Sequence, residues 1–189
     1  AIETPLCDLE IDGVGQVAFP LLESQAQDIA EVATPAPYGR GPETIVDPDV
    51  RRTLQLAPER FTLRGDSWDA TVEDITRNVS HSLGVTQPTR AELYKLLLYR
   101  EGDFFTEHRD SEKADGMFAT LVIALPLKWQ GGELVVRHAG ETRELHLHSD
   151  SISRVAYAGF FTDCLHELKP IAGGHRLVLV YNLIREDGV

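Results

Sequence analysis

The runs Cys164-Leu165-His166-Glu167-Leu168 and Arg176-Leu177-Val178-Leu179-Val180-Tyr181-Asn182-Leu183 flank the segment Lys169-Pro170-Ile171-Ala172-Gly173-Gly174-His175. Each run reads as a short strand, and the Pro/Gly segment between them as a turn. Upstream the same β-rich texture, punctuated by Gly, Pro and Asp, recurs at Leu93–Tyr99, Phe104–His108, Phe118–Leu125, Glu133–His138, Thr142–His148 and Ser153–Ala158. Eight short strands without intervening helices predict a sandwich or barrel, not a parallel α/β sheet.

The first third reads differently. In Leu21–Ala33, the residues Leu22, Ala26, Ile29 and Ala33 form one stripe of a helix; in Ser67–Leu83, Val72, Ile75, Val79 and Leu83 do the same. Asp66 or Ser67 would cap the second helix. Between them the Thr34–Pro42 stretch has the Pro/Gly density of a loop. The expected fold class is therefore mainly β with N-terminal helices. A jelly-roll core over residues 91–189 is supported by helices and loops over 1–90, in a single domain spanning 1–189.

The chain has 189 residues, 42% hydrophobic and 25% charged, which is ample for a packed core. Lys plus Arg is 18 against 30 for Asp plus Glu, a net charge of −12. Such a surface repels phosphate backbones and anionic lipid, so nucleic acid and membranes are not expected partners. Small molecules and basic polypeptide segments fit it. Cys7 and Cys164 lack any CxxC or zinc-ribbon spacing and read as free thiols in a reducing compartment. No apolar stretch reaches the roughly 18–20 residues of a membrane span. The start, Ala1-Ile2-Glu3-Thr4-Pro5, lacks the features of a signal peptide. A soluble, cytoplasmic protein is expected.

The chemistry concentrates near two histidines. His108 and Asp110 stand two apart at a strand end, so a period of two sets both on one face. An imidazole and a carboxylate are two members of a facial triad, which takes one more His and keeps positions open. His166 supplies it. Ten positions on, Arg176 heads an apolar strand, and a hairpin over that length would return its guanidinium beside the metal. An inward Arg is costly unless paired, and its planar fork matches a carboxylate. The partner would be a bound ligand's carboxylate.

From Tyr94 to Leu183 the chain resembles the iron(II)/2-oxoglutarate-dependent oxygenases of the prolyl 4-hydroxylase type. The matching residues are Tyr99, His108 with Asp110, Ala119–Leu125, Gly131-Gly132-Glu133-Leu134, His166 and Gly174-His175-Arg176. The resemblance implies a double-stranded β-helix, the family's jelly roll. It also implies Fe(II) on His108, Asp110 and His166, with 2-oxoglutarate as co-substrate and ascorbate as a stimulant. Arg176, helped by the Tyr99 hydroxyl, would take the distal carboxylate. Succinate and CO2 would be released as a substrate C–H is hydroxylated. The carboxylate at Asp110 argues for hydroxylation over halogenation, since halogenating relatives lack it. A prolyl or other amino-acid residue of a peptide or protein is the first substrate class by analogy, and a small molecule the second. Residues Tyr38–Pro42, Ser111–Gly116 and Arg137 are candidates for substrate selection.

Other readings compete. His146, His148 and Asp150 alternate along one strand face and offer a rival ligand set, or else a solvent face. His108-Arg109-Asp110 also spells a kinase catalytic loop, but Asp115 stands where that motif needs Asn, and no Gly-rich loop precedes it. A cupin-like metal-binding module without 2-oxoglutarate uses the same fold but has no role for an inward Arg176. Cys164, two residues before His166, reads as a small core residue.

Overall fold

Strands covered on both faces read as unbroken apolar runs, and the two most apolar segments of this chain occupy that position. The computed structural model describes residues 2–3, 7–40, 43–65, 67–147 and 154–186. In chain order its elements are β1 (Asp8–Ile11), α1 (Glu23–Val32), β2 (Arg51–Arg52), β3 (Leu54–Leu56), β4 (Phe61–Arg64), α2 (Trp68–Ser82), β5 (Thr89–Tyr99) and β6 (Phe104–His108). There follow β7 (Met117–Ala124), β8 (Trp129–Gly131), β9 (Leu134–His138), β10 (Glu141–Leu145), β11 (Arg154–Phe161), β12 (Leu165–Leu168), β13 (Ile171–Gly174) and β14 (Arg176–Arg185). Shorter extended pieces lie at Ile2–Glu3, Gly15–Gln16, Thr34–Pro35, Tyr38–Arg40 and Glu43–Ile45.

The major sheet has seven strands in the order Ile2–Glu3, β11, β7, β14, β5, β3, Thr34–Pro35. The minor sheet runs β10, β9, β12, β6, β2. Pairing is antiparallel throughout both sheets, and their inner faces share one core. This is the expected jelly roll. β7 and β14 sit at the centre of the major sheet, with every position of β7 and all but the last of β14 buried. Helix α2 packs against β5 and β11, burying Trp68, Val72, Ile75 and Val79. Among the described residues, no helix is long and apolar enough to cross a membrane.

Both expected helices form, each shortened at its ends. Leu22 precedes α1 and is 55% exposed, so it leaves the predicted stripe, while Ala26 and Ile29 are buried. Ser67 occupies the N-cap of α2 without a side-chain capping bond, and Asp66 lies outside the described residues. The first third holds more strand than its texture suggested. β1 and β4 pair in a three-stranded sheet with Gly15–Gln16, β3 widens the major sheet and β2 the minor one. These strands have two to four residues, too few for periodicity to register.

The hairpin expected between His166 and Arg176 is not one. β12 belongs to the minor sheet and β14 to the major, and β13 between them pairs with β8. The chain crosses the sandwich here, so Arg176 arrives from the sheet facing His166. The crossing depends on Gly174, whose φ is +77°. A Cβ there would meet the Lys128 carbonyl oxygen at 2.6 Å. Gly174→Ala is expected to cost about 1–3 kcal/mol, lowering Tm by roughly 2–12 °C in a chain of this size. A thermal melt with Tm within 1 °C of the parent would show that this turn tolerates a side chain.

Candidate metal centre

His108 and His166 are direct partners in the register of β6 with β12. Two residues of β6 between Phe105 and His108 are spanned by one of β12 between Leu168 and His166. This irregularity brings both imidazoles to the inner face. Asp110 follows just past the end of β6, its Oδ1 3.8 Å from His108 Nε2 and 3.7 Å from His166 Nε2. One donor atom from each of the three lies within 4.8 Å of the others.

The surroundings fix how those donors point. The Thr106 carbonyl lies 2.8 Å from His108 Nδ1, and the Cys164 carbonyl 3.2 Å from His166 Nδ1. A carbonyl can only accept, so each Nδ1 carries the proton and each Nε2 presents a lone pair to the common point. The Thr120 hydroxyl on β7 donates to Asp110 Oδ2 at 2.6 Å, leaving Oδ1 to face the imidazoles. Burial, with His166 beside it, drops the His108 pKa to about 4. The ring is therefore neutral and able to ligate a cation at physiological pH. Two nitrogens and one carboxylate on one side, with the rest open, suit a divalent iron or a similar ion.

A cavity of about 620 Å³, part of it open to solvent, extends from this point between the sheets. Val122, Leu134, Phe160, Leu168 and Val178 form its apolar walls. At its far end Tyr99 and Arg176 face each other in the β5–β14 register. Arg176 is 2% exposed, its guanidinium carbon is 5.1 Å from the centre of the Tyr99 ring, and its Nε has no partner. Burial lowers its pKa while the Tyr99 hydroxyl, hydrogen-bonded to it, works the other way. Among the described residues no carboxylate pairs with it. A buried guanidinium lacking a counter-ion is a built receptor for a planar anion.

The structure thus brings together all five residues singled out from the sequence: Tyr99, His108, Asp110, His166 and Arg176. It treats the secondary candidates differently. Arg137 lies on the outer face of the minor sheet, donating to Glu107 at 2.7 Å and Glu167 at 2.8 Å, away from the cavity. Tyr38 packs edge-on against Phe105 with ring centres 6.5 Å apart, while Gly41 and Pro42 lie outside the described residues. Lys113, in the loop after Asp110, hydrogen-bonds Ser111. Of the rival strand, His146 pairs with Glu144 at 3.2 Å near the surface, and His148 and Asp150 lie outside the described residues.

Sequence reasoning missed Arg51, Lys95 and Thr120, which also line the cavity. Lys95 carried a signal: it shares the period-two face of Tyr99 within an apolar run. Arg51 carried none, since β2 has only two residues. Cys164 is buried as expected, although it turns from the His108 site toward His138 and Asp163, with which it forms a second close donor group. Burial pushes its thiol pKa up.

No family model matches the sequence, and no curated protein matches it. Solved structures do. A Pseudomonas putida prolyl-4-hydroxylase aligns with TM-score 0.55 at 19% identity, covering 85% of this chain and 82% of its own. A Burkholderia pseudomallei oxidoreductase of the 2OG-Fe(II) oxygenase family aligns at TM-score 0.51 and 17% identity, over 88% and 80%. A Trichoplax adhaerens prolyl hydroxylase, in complex with a hypoxia inducible factor oxygen degradation domain peptide fragment, gives TM-score 0.56 at 15% identity, over 86% and 76%. At these identities the likeness is one of fold: this chain has the jelly roll of those enzymes.

Proposed function

We propose that the chain is an Fe(II)- and 2-oxoglutarate-dependent oxygenase that hydroxylates an unactivated C–H. The observation that carries this reading is Arg176, buried with no carboxylate partner among the described residues and lining the same cavity as a His-Asp-His donor set. A cupin-type module using metal alone leaves that guanidinium desolvated for nothing. The fold shared with prolyl hydroxylases supports the reading.

His108, Asp110 and His166 would hold the iron. When bound, iron supplies the activation of oxygen that couples oxidation of 2-oxoglutarate, to succinate and CO2, with hydroxylation of the substrate. The chain's own residues do the rest. Arg176 and the Tyr99 hydroxyl bind the distal carboxylate and so orient the 2-oxo acid end toward the triad. The Thr106 and Cys164 carbonyls hold the imidazole tautomers, and Thr120 holds the carboxylate. Val122, Leu134, Phe160, Leu168 and Val178 give the space beside the reacting centre apolar walls. The Trichoplax enzyme was solved with a peptide, which supports a prolyl or other residue of a peptide or protein as the first substrate class here.

The test is thermal and chemical. With Mn(II) in place of iron and 2-oxoglutarate at 100 times its Kd, stabilisation of about 2.7 kcal/mol is expected, or roughly 5–11 °C in Tm. With Fe(II) and oxygen, succinate should accumulate. A melt moved by metal but indifferent to 2-oxoglutarate would replace the oxygenase with a metal-binding module.

A further inference from the structure

Two cations in the cavity have no part in that chemistry. Arg51 and Lys95 are each 9% exposed and both line the space beside the triad. Lys95 reaches it because it shares the period-two face of Leu97 and Tyr99, which also line the cavity, and the register of β5 with β14 shifts only before it, between Leu93 and Lys95. Its ammonium donates to a neutral acceptor, Gln55 Oε1, at 3.0 Å and lies 4.2 Å from the Tyr94 ring centre. Arg51 donates from Nη1 to the Pro37 carbonyl at 2.8 Å. Its guanidinium covers the Phe105 ring at 4.3 Å, and its Nε has no partner. Among the described residues neither forms an ion pair.

Burial together with the facing charges of Arg51 and Lys113 pulls Lys95 down to about 7, against Asp110, which acts the other way. Lys95 and Tyr99 are four residues apart on β5, about 13 Å along the strand. The two basic centres are therefore offset along the cavity, and an anion seated on Arg176 leaves Arg51 and Lys95 without an ion-pair partner among the described residues.

We propose that Arg51 and Lys95 form a second anion subsite beside the metal centre, which receives a carboxylate of the substrate. The substrate is then an acid, either free or an acidic group of a peptide, with its carboxylate close to the C–H that reacts. This deepens the oxygenase reading and rests on it.

Calorimetry tests it on protein loaded with Mn(II) and saturating 2-oxoglutarate, which fills the Arg176 end. The probes are N-acetylproline against its primary amide, and acetyl-prolyl-glutamate amide against acetyl-prolyl-glutamine amide. One acid should bind about tenfold or more tightly than its neutral partner, and which pair shows this separates a free acid from a peptide. The preference should vanish in Arg51→Gln and Lys95→Gln, while the Kd of 2-oxoglutarate stays within about twofold. Lys95→Met should also raise the Tm of the ligand-free protein, since it removes a desolvated charge. No acid preference in either pair, survival of the preference in both variants, weakened 2-oxoglutarate binding instead, or a lowered Tm in Lys95→Met each overturns the subsite. An acid preference in a parent protein that never binds 2-oxoglutarate upholds the subsite and overturns the oxygenase.

Discussion

Arg176→Ala should raise the 2-oxoglutarate concentration needed for half-maximal succinate formation by on the order of 30- to 4,000-fold, with Fe(II) affinity little changed. The range follows from roughly 2–5 kcal/mol for truncating one partner of a desolvated, hydrogen-bonded charge pair, at about 1.4 kcal/mol per decade. Arg176→Lys should fall between, because an ammonium keeps the charge but loses the planar fork. Tyr99→Phe should lose less, about 1.5–3 kcal/mol for one hydrogen bond to a charged group. The site explains this ordering: the guanidinium is 2% exposed and its Nε is unpartnered. Titration of 2-oxoglutarate against succinate in all three variants checks it. An unchanged half-saturation in Arg176→Ala would remove the co-substrate from this end of the cavity.

His108→Ala and His166→Ala should each abolish turnover and Fe(II) retention while the fold persists. Three donors converge on one point, and removing one of three from a divalent site weakens it severely. The jelly roll, by contrast, is held by apolar burial across both sheets. Asp110→Gly should also lose hydroxylation, retaining only weak binding of metal and 2-oxoglutarate. Iron content after gel filtration, read beside a circular dichroism spectrum, separates a lost site from a lost fold. Normal product yield from Asp110→Gly at saturating iron would show that the carboxylate is not a ligand.

The sequence exposed those residues because their chemistry is local. His108 and Asp110 are two apart, and Arg176 opens an apolar strand where a charge is conspicuous. What stayed hidden was set by pairing over long separations. His166 lies opposite His108 only because β12 and β6 are neighbours, and nothing in either strand names its partner. The segment from Lys169 to His175 showed no alternation, so a crossing between sheets looked like a turn within one. Arg51 was invisible for the same reason. Its place beside the cavity comes from pairing with Phe105, not from any pattern in its own two-residue strand.

The crossing at β13 has a further consequence. Arg176 and Tyr99 stand on one sheet, His108 and His166 on the other. On the proposed reading, a 2-oxo diacid must bridge the gap left between the triad on one layer and the guanidinium on the other, a gap set by side chains projecting from sheets whose backbones pack about 10 Å apart. The sandwich then works as a caliper. A diacid one methylene shorter or longer would satisfy the triad or the guanidinium, not both. Discrimination by length would therefore belong to the spacing of the two layers together with the reach of the Arg176 side chain.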